Sequence, residues 1–242
     1  MTPNSAATQA TVTALSPERE QFDELLSWVA SAHPGRVSIL EVGGGGGFYD
    51  FPSRLRATAT RMVGVDPEPG VLSRPWFDAA YQETVEQYAP HASETFDVAM
   101  CVYVLEHVDT PSAFLSAVRS LLAPGGSCFG VTPNLLHYFG AASAAASRFG
   151  LEDWLLHRVR PAELIDAYHS PVRYQLNTVR RISGASLAAG FSRAEFRTLE
   201  QAGMFETYFP RWLRWWPGGY SAGLNRSGLA RFFGTLIFRL ST

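Results

Sequence analysis

Five consecutive glycines, Gly43 to Gly47, form a candidate ligand-binding loop. They follow a short apolar run, 37–42, which predicts a buried strand, and they precede a helical stretch that extends to about Thr58. Glycines let a ligand approach the backbone closely, and the N-terminus of a following helix offers N–H groups without partners. The segment therefore predicts a site for a nucleotide-like ligand.

Two common nucleotide-binding motifs do not fit this glycine run. A G-x-G-x-x-G motif needs a third glycine or alanine beyond the run, but Phe48 follows Gly47 and no register satisfies the motif. A Walker A loop needs Gly-Lys-Ser/Thr, and all 20 basic residues of this chain are arginine. The spacing that does fit is an acid two residues before G-x-G-x-G, formed by Glu41, Gly43, Gly45 and Gly47.

Four segments resemble motifs of the class I S-adenosylmethionine (SAM) dependent methyltransferases, in the same order. The segment ILEVGGGGG resembles motif I, and VGVDPEPGV resembles the second motif, in which Asp66 ends the second strand. The segment ETFDVAMCVYVLEHV resembles the fourth-strand motif, including the Leu-Glu-His-Val of small-molecule methyltransferases, and LLAPGGSCFGVTPN resembles the segment that leads into the fifth strand. The resemblance covers about 100 residues, 37–134, and the correct order of several motifs makes it specific.

The order of the predicted elements indicates the fold class. Apolar strands alternate with helices, which is typical of a parallel sheet covered on both faces. The resemblance implies an α/β, Rossmann-like three-layer sandwich with a seven-stranded, mostly parallel sheet in the order 3-2-1-4-5-7-6 and helical cap insertions. We expect a flexible tail over residues 1–15 and one methyltransferase domain over 16–242. Within that domain we interpret 133–177 as a cap insertion and 201–233 as a second insertion.

The resemblance also implies SAM as the cofactor and assigns residues to it. The loop with Gly43, Gly45 and Gly47 would pass under the methionine part of SAM. Glu41 would attract its positively charged amino group, the alternative being that this carboxylate orients the loop. Asp66 would accept hydrogen bonds from the ribose hydroxyls. The other cofactor-binding candidates lie after the third strand, where the family has its adenine contact, and at the end of the fourth: Val85, Glu86 and Val102.

Two histidines after predicted strand ends are candidates for catalysis. The methyl group of SAM is activated by the positive sulfur, so the enzyme must mainly orient the acceptor and exclude water, although a hydroxyl acceptor also benefits from a base. His107 and His137 are the candidates for that base, and a structural role at a helix entry is the alternative for His107. Glu106 and His107 resemble the Glu-His of ubiquinone-pathway O-methyltransferases, where Glu-x-x-Glu-His binds a divalent metal. Here Tyr103 replaces the first acid, and no metal is predicted.

The acceptor is predicted to be an apolar or aromatic small molecule. An aromatic cap suits such a ligand, and the candidates to contact it are Tyr138, Tyr168 and Tyr174. O-methylation is the expected reaction, with N- and C-methylation as alternatives. Methylation of RNA or protein, and SAM binding without catalysis, are the other functions left open. The Asn/Asp-Pro-Pro-Tyr motif of enzymes that methylate nucleic-acid amino groups is absent after the fourth strand, where this chain has Tyr-Val-Leu-Glu.

Composition indicates the compartment and the partners. The net charge of −2 gives no reason to expect a polyanionic binding partner, so no nucleic-acid partner is predicted. Two cysteines cannot form a disulfide framework, and the start of the chain lacks the basic and apolar regions of a targeting signal, so a cytoplasmic location is expected. Residues 207–242 carry five arginines and no acid, with many aromatic side chains. We interpret 207–233 as a packed insertion, with a membrane surface, a lipid-like substrate, a homodimer interface or stacking with single-stranded nucleic acid as alternatives.

Overall fold

The computed structural model of the chain describes residues 10–45, 51–150, 172–203 and 205–242. Eight of the elements in these residues are strands of one sheet. In chain order the strands are β1 (Thr11–Ala14), β2 (Val37–Val42), β3 (Ala59–Val65), β4 (Ala79–Tyr81), β5 (Phe96–Val102), β6 (Leu122–Pro133), β7 (Arg193–Leu199) and β8 (Thr235–Ser241).

Helices connect most of these strands. Short 3₁₀ turns supplement them within the described ranges, among them Pro69–Ser73 after β3 and Arg211–Leu213 after β7. The α-helices of the described residues are α1 (Gln21–Ala32), α2 (Phe51–Arg56), α3 (Val85–Tyr88), α4 (Pro111–Ser120), α5 (Tyr138–Arg148), α6 (Val179–Ala188) and α7 (Trp215–Ser227).

The sheet has the strand order β1-β7-β8-β6-β5-β2-β3-β4, and β8 runs antiparallel to both of its neighbours. The seven strands from β7 to β4 reproduce the predicted order, so the predicted α/β, Rossmann-like fold is confirmed. The predicted strand number is corrected from seven to eight, because β1 pairs in parallel with β7 at the edge of the sheet. The prediction of a flexible tail over residues 1–15 is therefore wrong for β1.

Helices cover both faces of the sheet, which gives three layers. On one face, α1 and α2 bury Leu25 and Leu55 against Ile39 of β2. On the other face, α4 and α6 bury Phe114 and Ile182 in a second apolar cluster. Because both faces are covered, the central strands are apolar along most of their length.

Seven of the eight strands, all except β8, run in the same direction and end at the same edge of the sheet, and we call this edge the carboxyl edge. Both predicted insertions follow strands that end there: α5 comes after β6, and α7 comes after β7. No helix in the described part of the chain is long and apolar enough to cross a lipid bilayer. The five longest of these strands end at Val42, Val65, Val102, Pro133 and Leu199.

Candidate functional site

The carboxyl edge brings together the loops that carry most of the predicted site residues. The glycine loop follows β2, Asp66 follows β3, His107 lies in the turn after β5, and α5, which His137 caps, follows β6. Ligands of parallel α/β sheets bind at this edge, in the crevice that the loops form beyond the strand ends. The topology therefore gathers residues that are far apart in the sequence.

Asp66 holds the glycine loop. Its Oδ2 accepts a hydrogen bond from the backbone N–H of Gly45 at 2.8 Å, and its Oδ1 accepts one from the backbone N–H of Glu68 at 2.6 Å. A Cβ atom added to Gly45 would lie 2.8 Å from Cγ of Asp66, so a larger residue does not fit unless the loop moves. Each carboxylate oxygen has a second lone pair, and Asp66 can therefore accept further hydrogen bonds from a ligand.

Glu41 is a buried carboxyl group, one oxygen of which lacks a partner among the described residues. The residue is 5% exposed, and its Oε2 has no hydrogen-bond partner among the described residues. Burial, reinforced by the nearby Asp66, raises the pKa of Glu41 to about 8, although Arg74 acts in the opposite direction. An unsatisfied buried acceptor is costly. This oxygen is therefore suited to a ligand that brings a positively charged N–H donor.

The glycine loop contacts the loop that follows β5. Gly43 has a φ of +87°, which favours glycine, and a Cβ atom there would collide with Cγ2 of Val104. The carbonyl of Val104 accepts a hydrogen bond from the backbone N–H of His107 at 2.9 Å. A ligand on the glycine loop would therefore also lie close to the turn that carries His107.

The other predicted cofactor residues have different surroundings. Val85 is 2% exposed and packs in the core, which leaves it little surface for a ligand. Glu86, in the first turn of α3, and Val102, the last residue of β5, are both partly exposed. Gly47 lies outside the described residues. These assignments to the cofactor stay predictions.

Arg74 reaches the glycine loop from the turn after β3, and nothing in the sequence around it indicates this contact. Its Nη2 donates a hydrogen bond to the carbonyl of Gly45 at 2.5 Å. Its Nε is buried and has no hydrogen-bond partner within the described ranges. Arg74 and Gly45 are 29 residues apart and meet only through the fold.

His107 is partly exposed, whereas its neighbour Glu106 is buried. Thr132 donates a hydrogen bond from its hydroxyl to Oε2 of Glu106 at 3.1 Å. The carbonyl of Glu106 accepts hydrogen bonds from the N–H groups of Arg173 and Tyr174, at 2.6 and 3.0 Å. Burial raises the pKa of Glu106 to about 7. The motif that contains His107 thus supplies a second titratable group, which the sequence suggested only as a metal ligand.

His137 is 1% exposed and caps helix α5. Its Nδ1 accepts a hydrogen bond from the backbone N–H of Phe139 at 3.2 Å, so the proton of the neutral imidazole lies on Nε2. Nε2 is 3.5 Å from Oε1 of Glu200, without the alignment of a hydrogen bond. Neither ring nitrogen offers a lone pair to an acceptor hydroxyl here. The predicted catalytic role of His137 therefore gains no support, and its observed role is to cap α5.

Tyr138 belongs to an aromatic cluster that joins α5 to α7. Its ring centroid lies 4.8 Å from those of both Trp216 and Tyr220. Burial, followed by the effect of the Glu200 carboxylate, raises the pKa of Tyr138 to about 12. The hydroxyl of Tyr138 stays protonated at neutral pH, so this residue can line a pocket but cannot act as a base.

Tyr174 connects the end of the cap insertion to α5. It is 7% exposed, and its hydroxyl donates a hydrogen bond to Oγ of Ser143 at 2.9 Å. Its carbonyl accepts a hydrogen bond from Nη1 of Arg181 at 2.8 Å. Contact of Tyr174 with an acceptor stays a prediction. Tyr168 lies outside the described residues.

Sequence comparison relates the chain to known methyltransferases. A family model described as a methyltransferase domain matches residues 9–201. The ubiquinone biosynthesis O-methyltransferase of Aeromonas salmonicida (strain A449) is 30% identical over 117 residues, which are 45% of this chain and 49% of that protein. The protein of the same name from Methylobacterium nodulans is 32% identical over 149 residues, 55% of this chain and 58% of that protein. The chain thus spans about half the length of the curated relatives it matches.

Structural comparison relates the fold to solved methyltransferases at low identity. A SAM-dependent methyltransferase of Thermotoga maritima, described as a possible histamine N-methyltransferase, has a TM-score of 0.57 and 16% identity, covering 91% of this chain and 88% of that chain. The N-methyltransferase NodS of Bradyrhizobium japonicum WM9, in complex with S-adenosylhomocysteine, has a TM-score of 0.52 and 17% identity, covering 93% and 87%. At these identities the likeness concerns the fold alone.

Proposed function

This chain belongs to the methyltransferase domain family of SAM-dependent enzymes, and we propose that it transfers the methyl group of SAM to a hydroxyl group of an apolar or aromatic small molecule. The observation that carries the proposal is the buried Oε2 of Glu41 beside the glycine loop, which has no hydrogen-bond partner in the described part of the chain. Relatives named as O-methyltransferases, at about 30% identity, favour a hydroxyl as the acceptor.

The residues around the glycine loop fit the chemical groups of SAM. Oε2 of Glu41 would accept a hydrogen bond from the amino group of the methionine part, which satisfies the orphaned oxygen. The remaining lone pairs of Asp66 would accept hydrogen bonds from the two ribose hydroxyls. Because Gly43 and Gly45 have no side chains, the loop packs closely against Val104 and Asp66 and stays beside the Asp66 carboxylate. When bound, SAM supplies a methyl group that its positive sulfur has activated.

The chain's own share in the reaction is to orient the acceptor, exclude water and take up a proton. The acceptor oxygen must lie in line with the bond between methyl carbon and sulfur, and such orientation supplies a large part of the rate enhancement. His107, in the turn that contacts the glycine loop through Val104, would accept the hydroxyl proton. Tyr138 and its aromatic neighbours would line the pocket that binds the acceptor. The products are a methyl ether and S-adenosylhomocysteine.

Ionisation of Glu41 makes SAM binding depend on pH. With a pKa of about 8, Glu41 is mostly protonated in the free protein at pH 7. The positive amino group of SAM favours the carboxylate and lowers its pKa in the complex. We therefore expect binding at pH 7 to release close to one proton from Glu41, and the contribution of Glu41 to affinity to rise with pH. Calorimetry in buffers with different ionisation enthalpies measures this release.

Glu41→Gln is the control for that experiment. The amino group of SAM titrates near pH 8, so at pH 7 it is already mostly protonated and contributes little proton exchange in either protein, whereas glutamine cannot ionise. We expect Glu41→Gln to lose the proton release and to bind SAM more weakly. Equal proton release by the wild-type protein and by Glu41→Gln would show that Glu41 does not meet the amino group.

The acceptor class is tested with matched small molecules. We would incubate the chain with SAM and an alkyl-substituted catechol, the corresponding aniline, or a catechol that carries a charged group, and detect methylated products by mass spectrometry. We expect methylation of the alkyl catechol and little of the other two. Methylation confined to the amine, or to added RNA or protein, would contradict the proposed acceptor.

A further inference from the structure

An exposed turn rich in arginine and tryptophan begins helix α7. It comprises residues 211–215, and we call it the Arg/Trp turn. Trp212 is 75% exposed and Trp215 is 70% exposed, while Arg211 and Arg214 are exposed beside them. Because the two tryptophans are three residues apart in a helical segment, they lie on the same side of it, and so do the two arginines. The turn thus presents two large apolar side chains flanked by positive charge.

The side chains on the inner side of the same segment pack against the rest of the molecule. Trp216 and Tyr220 stack on each other with ring centroids 5.6 Å apart, and both contact Tyr138. Packing of α7 onto the rest of the molecule is therefore supplied by these residues. Since Trp212 and Trp215 point mostly to solvent, the packing of the insertion does not account for them.

The stretch of sequence from residue 207 onward carries charge of one sign. Residues 207–242 contain five arginines and no aspartate or glutamate. The nearest acid before them, Glu206, lies against Gly203 and Gly218. Arg239 is engaged with Glu195, at 3.5 Å, within the sheet. Among the described residues, no salt bridge involves Arg211 or Arg214.

We propose that the Arg/Trp turn binds the surface of a membrane that contains anionic phospholipids. Tryptophan side chains favour the boundary between lipid headgroups and acyl chains, because the ring is apolar and its N–H is polar. The guanidinium of arginine forms paired hydrogen bonds with phosphate oxygens. The combination of exposed tryptophan and unbalanced arginine is complementary to this surface and to its negative potential.

Two other occupants match the turn less well. A symmetric contact between two copies of the chain would bring four arginines of the same sign together, which costs free energy. Single-stranded nucleic acid is bound along a groove that tracks several nucleotides. Two tryptophans within one helical turn offer stacking for two bases at most.

Vesicle sedimentation of the full chain tests this surface without knowledge of the acceptor. We expect binding to vesicles of phosphatidylcholine with phosphatidylglycerol, weaker binding to phosphatidylcholine alone, and weakening by salt. Each arginine near an anionic surface contributes roughly fivefold in affinity, so Arg211→Gln/Arg214→Gln should bind roughly 25-fold more weakly. Trp212→Ala/Trp215→Ala should also lose most of the binding. Replacement of these exposed side chains should leave the fold intact, as circular dichroism would check.

The matched control is Arg180→Gln/Leu187→Ala, on the exposed side of α6, which should bind as the wild type does. Failure of the wild-type chain to bind anionic vesicles would overturn the proposal, and so would equal binding by the variants of the turn. Two further results would also overturn it. One is a dimer in light scattering that the tryptophan variant abolishes, and the other is binding of a single-stranded RNA oligonucleotide that the same variant abolishes.

Discussion

Gly45→Val is expected to abolish detectable binding of SAM. The new Cβ atom would lie 2.8 Å from Cγ and 3.0 Å from both carboxylate oxygens of Asp66, so the loop must leave its place. The hydrogen bond from the N–H of Gly45 to Asp66 would then break, and two parts of the proposed site would be displaced together. We expect affinity to fall by at least about 100-fold, measured by calorimetric titration with SAM.

Gly184→Val provides a comparison with the same change in chemistry. Gly184 lies in α6, and a Cβ atom added there meets nothing within 4 Å. This variant should fold and bind SAM as the wild-type chain does. Wild-type affinity in Gly45→Val, with the fold intact by circular dichroism, would mean that SAM does not lie on this loop.

His107→Ala is expected to slow methyl transfer while SAM affinity stays nearly unchanged. Loss of a general base costs about 10²–10⁴-fold in the chemical step, and His107 lies outside the group of residues proposed to hold SAM. Single-turnover rates isolate this step. They would be measured between pH 6 and pH 9 with the unmethylated acceptor that the acceptor screen identifies as a substrate. Raising the pH should partly restore the rate, because more of a phenolic acceptor with a pKa of about 10 is ionised without help.

Two variants control this experiment. His91→Ala removes an exposed histidine that pairs with Glu83, and it should leave the rate unchanged. Glu106→Gln removes the carboxyl group with a pKa of about 7 beside His107. A rate in His107→Ala within tenfold of the wild type at every pH would contradict a base at this position. A large loss in Glu106→Gln alone would identify Glu106 as the base instead.

Much of the sheet follows from the sequence because its strands are buried on both faces. Runs such as VSILEV and FDVAMCV are nearly continuous in apolar residues, and they form β2 and β5. The strand β1 gives no such signal, since Thr11–Ala14 is exposed at every residue. Its place is fixed by backbone pairing with β7, which lies about 180 residues further along the chain. Pairing of this kind leaves no local pattern in the sequence.

The proposed cofactor site could be predicted in outline, since Glu41, Gly45 and Asp66 lie at strand ends that the fold brings to one edge. The surroundings of His137 could not be predicted. Its burial depends on Glu200 and on aromatic side chains of the second insertion, which come more than 60 residues later. Proximity to a strand end is therefore a weaker guide to catalysis than to ligand binding, because insertions decide which side chains stay accessible.

The most direct test of the proposed SAM site compares Asp66→Ala with Asp97→Ala by calorimetric titration with SAM. Asp97 also accepts a backbone N–H, that of Ser38 at 2.8 Å, but it lies at the opposite end of the strands. We expect Asp97→Ala to bind SAM as the wild-type chain does. We expect Asp66→Ala to lose about 1.5–3 kcal/mol of binding free energy, roughly 10- to 150-fold in affinity. Equal affinity in all three folded proteins, or no SAM binding by the wild-type chain, would contradict this assignment.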